Sequence, residues 1–156
     1  MTFLGDRLNI LMADDNPEDL VLIDRILEAK EFPANFKTVG DGLELMQYLR
    51  NEGAFSDPIE HPWPDLILLD LNMPNMDGRE ALREIRSDPN LADVRIIVLS
   101  SSGEIDDFEA ALDEGANFYV AKPIDINTFL SLLNSFLESA ESDEASVESD
   151  IAEPVG

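Results

Sequence analysis

Short apolar runs alternate along this chain with segments whose apolar residues recur every three or four positions. Residues 8–13 (Leu-Asn-Ile-Leu-Met-Ala) read as a strand that ends on two acids, Asp14 and Asp15. A helix follows, with Asn16 as its cap, Pro17 in its first turn and Leu20, Ile23 and Leu27 on one face. Residues 36–39 form a short strand, and 42–50 carry Leu45, Met46 and Leu49 at helical spacing. Residues 53–64, with Pro58, Pro62 and Pro64, read as a surface connection. The runs 66–69 (Leu-Ile-Leu-Leu) and 96–99 (Ile-Ile-Val-Leu) are continuously apolar, as in strands covered on both faces. Each is followed by a polar loop and a helical segment, 78–86 and 104–114. A last strand at 117–121 and a last helix at 126–137 complete the pattern.

Five strand–helix repeats require right-handed crossovers, hence a parallel sheet with helices on both faces. The expected fold is a doubly wound, flavodoxin-like α/β sheet of five strands in the order 2-1-3-4-5. Its ligand site then lies beyond the carboxyl ends of the strands.

Charge and composition narrow the picture. The 156 residues carry 34 acids against 10 bases, a formal net charge of −24. Such a field repels a phosphate backbone, so direct nucleic-acid binding is not expected. There is no cysteine, which removes disulfides and thiolate metal sites. No apolar run reaches the length of a membrane span, and Asp6 and Arg7 sit where a signal peptide needs its apolar stretch. A soluble, cytoplasmic protein is the expectation. Seven of the acids fall between Glu138 and Gly156, with no base among them. The chain therefore divides into a globular unit over 1–140 and an acidic tail over 141–156, expected to be disordered.

What stands at the strand ends carries the chemistry. Asp14 and Asp15 follow the first strand, Asp70 the third, Ser100 the fourth and Lys122-Pro123 the fifth. Alone, each fits a plainer role: a capping turn, a serine turn, a solvated lysine. Together, three converging carboxylates repel one another unless a cation joins them, and Mg²⁺ with its oxygen ligands suits them. A hydroxyl and an ammonium alongside suit phosphoryl oxygens, so the set reads as a clamp for phosphoryl transfer onto a carboxylate.

The stretches 10–15, 66–78 (Leu-Ile-Leu-Leu-Asp-Leu-Asn-Met-Pro-Asn-Met-Asp-Gly), 97–100 and 119–123 (Tyr-Val-Ala-Lys-Pro) resemble the receiver domains of two-component signalling. The resemblance spans roughly residues 7–137. It implies that Asp70 accepts a phosphoryl group from a histidine kinase. It also implies that Asp14, Asp15, Asp70 and the Asn72 backbone carbonyl hold Mg²⁺, and that Ser100 and Lys122 bind phosphoryl oxygens. Tyr119 would be the aromatic switch partner of Ser100, Lys122-Pro123 a cis bond, and Asp77-Gly78 the turn into the third helix. The connection 53–64 after Tyr48-Leu49-Arg50 is similar to that of small stand-alone regulators paired with bacterial phytochromes. A phytochrome-type kinase is therefore the implied donor, and a protein target or phosphotransfer protein the implied receiver of the signal, because no output domain is seen after the last helix.

Two rival functions are weighed against this one. An aspartate-nucleophile phosphatase of the haloacid-dehalogenase type needs an acid two residues after the nucleophile, where this chain has Asn72. A phosphorylation-silent pseudo-receiver lacks one of the acids, the hydroxyl or the lysine, and here all are present. His61 and Trp63 read as loop and core-edge residues. In the last helix, Ile126, Leu130, Leu133 and Leu137 form the stripe expected to seat it on the sheet. Phe129, Leu132 and Phe136 flank that stripe and are expected to form a homodimer face.

Overall fold

The computed structural model describes residues 7–101 and 105–141, with the side chains of 105–107 and 137–141 left aside. In chain order the elements are β1 (Leu8–Ala13), α1 (Pro17–Ala29), β2 (Ala34–Val39), α2 (Gly42–Leu49), a 3-10 turn (Gly53–Phe55), β3 (Leu66–Asp70), α3 (Gly78–Ser87), β4 (Arg95–Ser100), α4 (Ile105–Asp113), β5 (Phe118–Ala121) and α5 (Ile126–Glu141). The sheet is parallel throughout, in the order β2-β1-β3-β4-β5. That is the expected doubly wound topology.

Alternation along the central strands divides two cores. Leu11, Ala13, Ile67, Leu69, Ile96 and Val98 face α2 and α3, where Leu45, Leu49, Leu82 and Ile85 close the layer. Their neighbours Ile10, Met12, Leu66, Leu68, Ile97 and Leu99 face α1 and α5, against Ile23, Leu27, Phe129 and Leu133. Every residue of β3 is buried, which is why its sequence shows no polar alternation. Local signals set the helix starts. Asn16 accepts from the Glu18 N–H ahead of Pro17, and Asp77 with Glu80 makes a reciprocal capping box at α3.

The structure corrects the reading of α5. Phe129 and Leu133 are fully buried, Phe136 nearly so, and Ile126 is 41% exposed. The seating face is thus turned by about 60° from the Ile126–Leu130–Leu133 stripe, to the middle of the apolar arc. The reason is size: rotating the two phenylalanines inward buries more apolar surface than burying Ile126. Phe136 is further held by Phe118, edge to face with ring centres 5.9 Å apart, and by the Arg95 guanidinium 5.4 Å from its ring centre. The flank offered as a homodimer face is therefore part of the protein's own core. The side chain of Leu137 lies outside the described residues, as do residues 142–156 of the expected tail; Glu141 closes α5.

The connection after α2 is tied down. Asn51 donates to the Phe55 and His61 carbonyls, and the Tyr48 hydroxyl donates to the Pro62 carbonyl at 3.0 Å. Burial pushes the Tyr48 phenol up to about 12. His61 packs edge-on against Tyr48 and Phe55 rather than standing free. Trp63, 46% exposed, lines a cleft with Pro64, Pro89 and Phe136.

Candidate functional site

The carboxyl ends of β1, β3, β4 and β5 bring their terminal residues together as parallel pairing demands. One carboxylate oxygen each from Asp14, Asp15 and Asp70 lies within 4.8 Å of the others. Asp14 and Asp70 are buried, and Asp15 is exposed. Ser100, also buried, ends β4 opposite Ala121, and its carbonyl accepts the Lys122 N–H at 2.8 Å. The Lys122-Pro123 bond is cis. The Lys122 ammonium sits 2.9 Å from Asp14, 2.7 Å from Asp19 and 3.6 Å from Asp70. Of the expected set, the side chains of Asp14, Asp15, Asp70 and Lys122 therefore converge. Asn72 contributes its N–H, which bonds the Asp70 carboxylate.

Burial and the neighbouring Asp14 charge push the Asp70 carboxyl up to about 6, against the opposing pull of Lys122 and the Asn72 N–H. For Lys122, burial disfavours the charged form. Its hydrogen bonds to Asp19 and Asp14 and the charges of Asp70 and Asp14 outweigh that and raise its pKa. Three carboxylates thus face one ammonium and Asp15 adds a fourth negative charge beside Asp14 and Asp70, an excess that a small hard cation relieves. The all-oxygen donors at this spacing fit Mg²⁺ or Mn²⁺.

A pH prediction follows from Asp70. Its raised pKa means that the folded state binds the proton more tightly than the unfolded chain does. The associated stability is full below about 4 and is lost as pH rises through about 6. In chelator, Asp70→Asn should stabilise the protein by about 1–3 kcal/mol at pH 8, with the gap closing near pH 4. Urea unfolding at the two pH values checks this, and an equal gap at both contradicts it.

Tyr119 is half-buried against the α2–α3 core and stacks on Phe108 of α4, ring centres 4.9 Å apart. Two residues here escaped the sequence reading. In the sequence Phe108 is one apolar position among several in α4. Asp19 is one of several acids at the start of α1, although a third aspartate within the six residues 14–19 was a usable signal.

Residues 10–134 match the response regulator receiver domain family. The chain belongs to that family. It is 35% identical over 113 residues to the response regulator Rcp1 of Synechocystis sp., covering 72% of this chain and 75% of that protein. The structure of the phosphorylated cyanobacterial phytochrome response regulator RcpA is 38% identical, with a TM-score of 0.72, over 92% of this receiver and 99% of that chain. The Mn²⁺-bound form of Rcp1 is 29% identical, with a TM-score of 0.68, over 95% and 99% of the two chains. This receiver is accordingly a switch of two-component signalling, and among its described residues no helix is long and apolar enough to cross a membrane.

Proposed function

We propose that the receiver takes a phosphoryl group onto Asp70 from a sensor histidine kinase, with Mg²⁺ required, and passes the signal on through protein contacts. The observation that carries this is the convergence of Asp14, Asp15 and Asp70 within 4.8 Å, with Lys122 beside them at the strand ends. A carboxylate oxygen of Asp70 attacks phosphorus, a P–O bond forms, the P–N bond to the donor histidine breaks, and its electron pair returns to the imidazole. Asp14, Asp15, Asp70 and the Asn72 backbone carbonyl would hold the Mg²⁺, which would offset charge on the phosphoryl oxygens. Ser100 and Lys122 bind those oxygens, and water later releases the phosphate slowly. Movement of Ser100 toward the phosphoryl group draws Tyr119 with it and alters the surface around Phe108.

The described likeness to Rcp1 and RcpA supports a phytochrome-type kinase as donor. A protein target or a phosphotransfer protein takes the signal onward, in the cytoplasm and without nucleic acid. A homodimer forms no part of the proposal, since the flank that argued for it is core.

Calorimetric titration with Mg²⁺ tests the metal set. Asp15→Ala should weaken binding by about tenfold or more and, by relieving repulsion, raise the unfolding temperature in chelator. Unchanged affinity removes Asp15 from the ligands.

A further inference from the structure

Lys122 is held by more than the residues its proposed role requires. An ammonium has three donors. One goes to Asp14 at 2.9 Å and one to Asp19 at 2.7 Å, while Asp70 at 3.6 Å is an ion pair beyond hydrogen-bond reach. The shortest of the three contacts is therefore to a residue outside the carboxylate trio. Asp19 belongs to the first turn of α1, and its N–H donates to the Asn16 carbonyl at 3.1 Å. Capping by Asn16 and the rigid Pro17 fix that turn, and the helix N-terminus favours a negative charge there. Asp19 is thus presented on a preorganised turn.

We propose that Asp19 is a positioning residue for Lys122, holding its ammonium short of the Asp70 carboxylate in the unphosphorylated protein and releasing it when a phosphoryl group arrives. This rests on the reading of Asp70 as acceptor and Lys122 as its phosphoryl-binding partner. A divalent cation drawn to Asp14 and Asp70 satisfies those two carboxylates and leaves Asp19 as the remaining competitor for the ammonium. Asp19 then sets how readily Lys122 turns to the phosphoryl oxygens, and biases the resting protein toward its unphosphorylated state. The bond is short and charge-assisted, and Lys122 is only 14% exposed, so solvent screens it little.

Beryllofluoride, which binds a carboxylate oxygen in the shape of a phosphoryl group, provides the probe. Its affinity is measured calorimetrically at saturating Mg²⁺ for the full chain. Asp19→Ala should bind it about fivefold more tightly than wild type, within the range of coupled neighbouring charges. Asp19→Glu should return the affinity toward the wild-type value. Lys122→Ala should weaken binding, and adding Asp19→Ala to it should gain nothing. Wild-type or weaker affinity in Asp19→Ala overturns the proposal. So does a gain of equal size with and without Lys122, which would mean that only the loss of a negative charge matters. Wild type that binds no beryllofluoride overturns the acceptor reading itself, and the proposal with it.

Discussion

Gly78→Ala should destabilise the protein by about 3 kcal/mol or more, the range of substitutions that force backbone apart in a packed interior. A Cβ at this position would stand 2.3 Å from the Asp70 carbonyl oxygen and 2.7 Å from the Leu71 Cα. Both obstacles are backbone, so no rotamer change relieves them. Gly78 is also buried, and its N–H donates to the Leu71 carbonyl at 3.0 Å, which fixes the start of α3 against the end of β3. Any shift that admits the methyl group therefore moves Asp70, and acceptor chemistry should fall with stability. Gly53→Ala is the control. Gly53 has a φ of +59° but nothing within 4 Å of its added Cβ, so only the left-handed backbone resists, at about 1 kcal/mol. Urea unfolding of both variants checks the pair, and equal losses would contradict the close approach at Gly78.

Phe129→Ala should cost about 3–5 kcal/mol, the range for removing a buried phenylalanine. Ile126→Ala, on the same helix and three residues earlier, should cost less than about 1 kcal/mol, because much of that side chain already meets water. Phe129 is fully buried and packs in the α1–α5 core, whereas Ile126 is 41% exposed. If the helix were instead seated on the Ile126 stripe, the two costs would approach one another or reverse. The same denaturant titrations decide between the two phases of α5.

These elements show what the sequence can carry. β3 and β4 were legible because strands covered on both faces leave uninterrupted apolar runs, and α1 was legible from Asn16 and Pro17. The start of β2 was not: Ala34 and Asn35 lie on an edge strand where only Val39 is buried, so no apolar run marks it. Instead Arg7 and Asn9 hold Asn35 through side chains, a tertiary fact. The phase of α5 failed for a related reason. Seven apolar residues in twelve positions cover an arc wider than a sheet needs, and the sequence does not say which part of it turns inward.

The site divides in the same way. The placement of Asp14, Asp15, Asp70, Ser100 and Lys122 was legible because each ends or directly follows a strand and parallel pairing brings strand ends together. Asp19 and Phe108 lie on helices, and their contacts to Lys122 and Tyr119 depend on how those helices pack. Arg86 is a further case. Its guanidinium donates to the carbonyls of Ala92, Val94 and Gly115 and to the Asn117 side chain, joining α3 to the segments that lead into β4 and β5. Its position in the α3 sequence resembles that of any solvated arginine.

The most direct test of the acceptor is covalent labelling of wild type and Asp70→Asn with isotopically labelled acetyl phosphate in the presence of Mg²⁺. Asparagine keeps the size of the side chain and removes the nucleophile. Wild type should take up a hydroxylamine-sensitive phosphoryl group that is lost in chelator, and Asp70→Asn should take up none while its circular dichroism stays that of the folded protein. Undiminished labelling of folded Asp70→Asn would contradict the assignment of Asp70 as the phosphoacceptor.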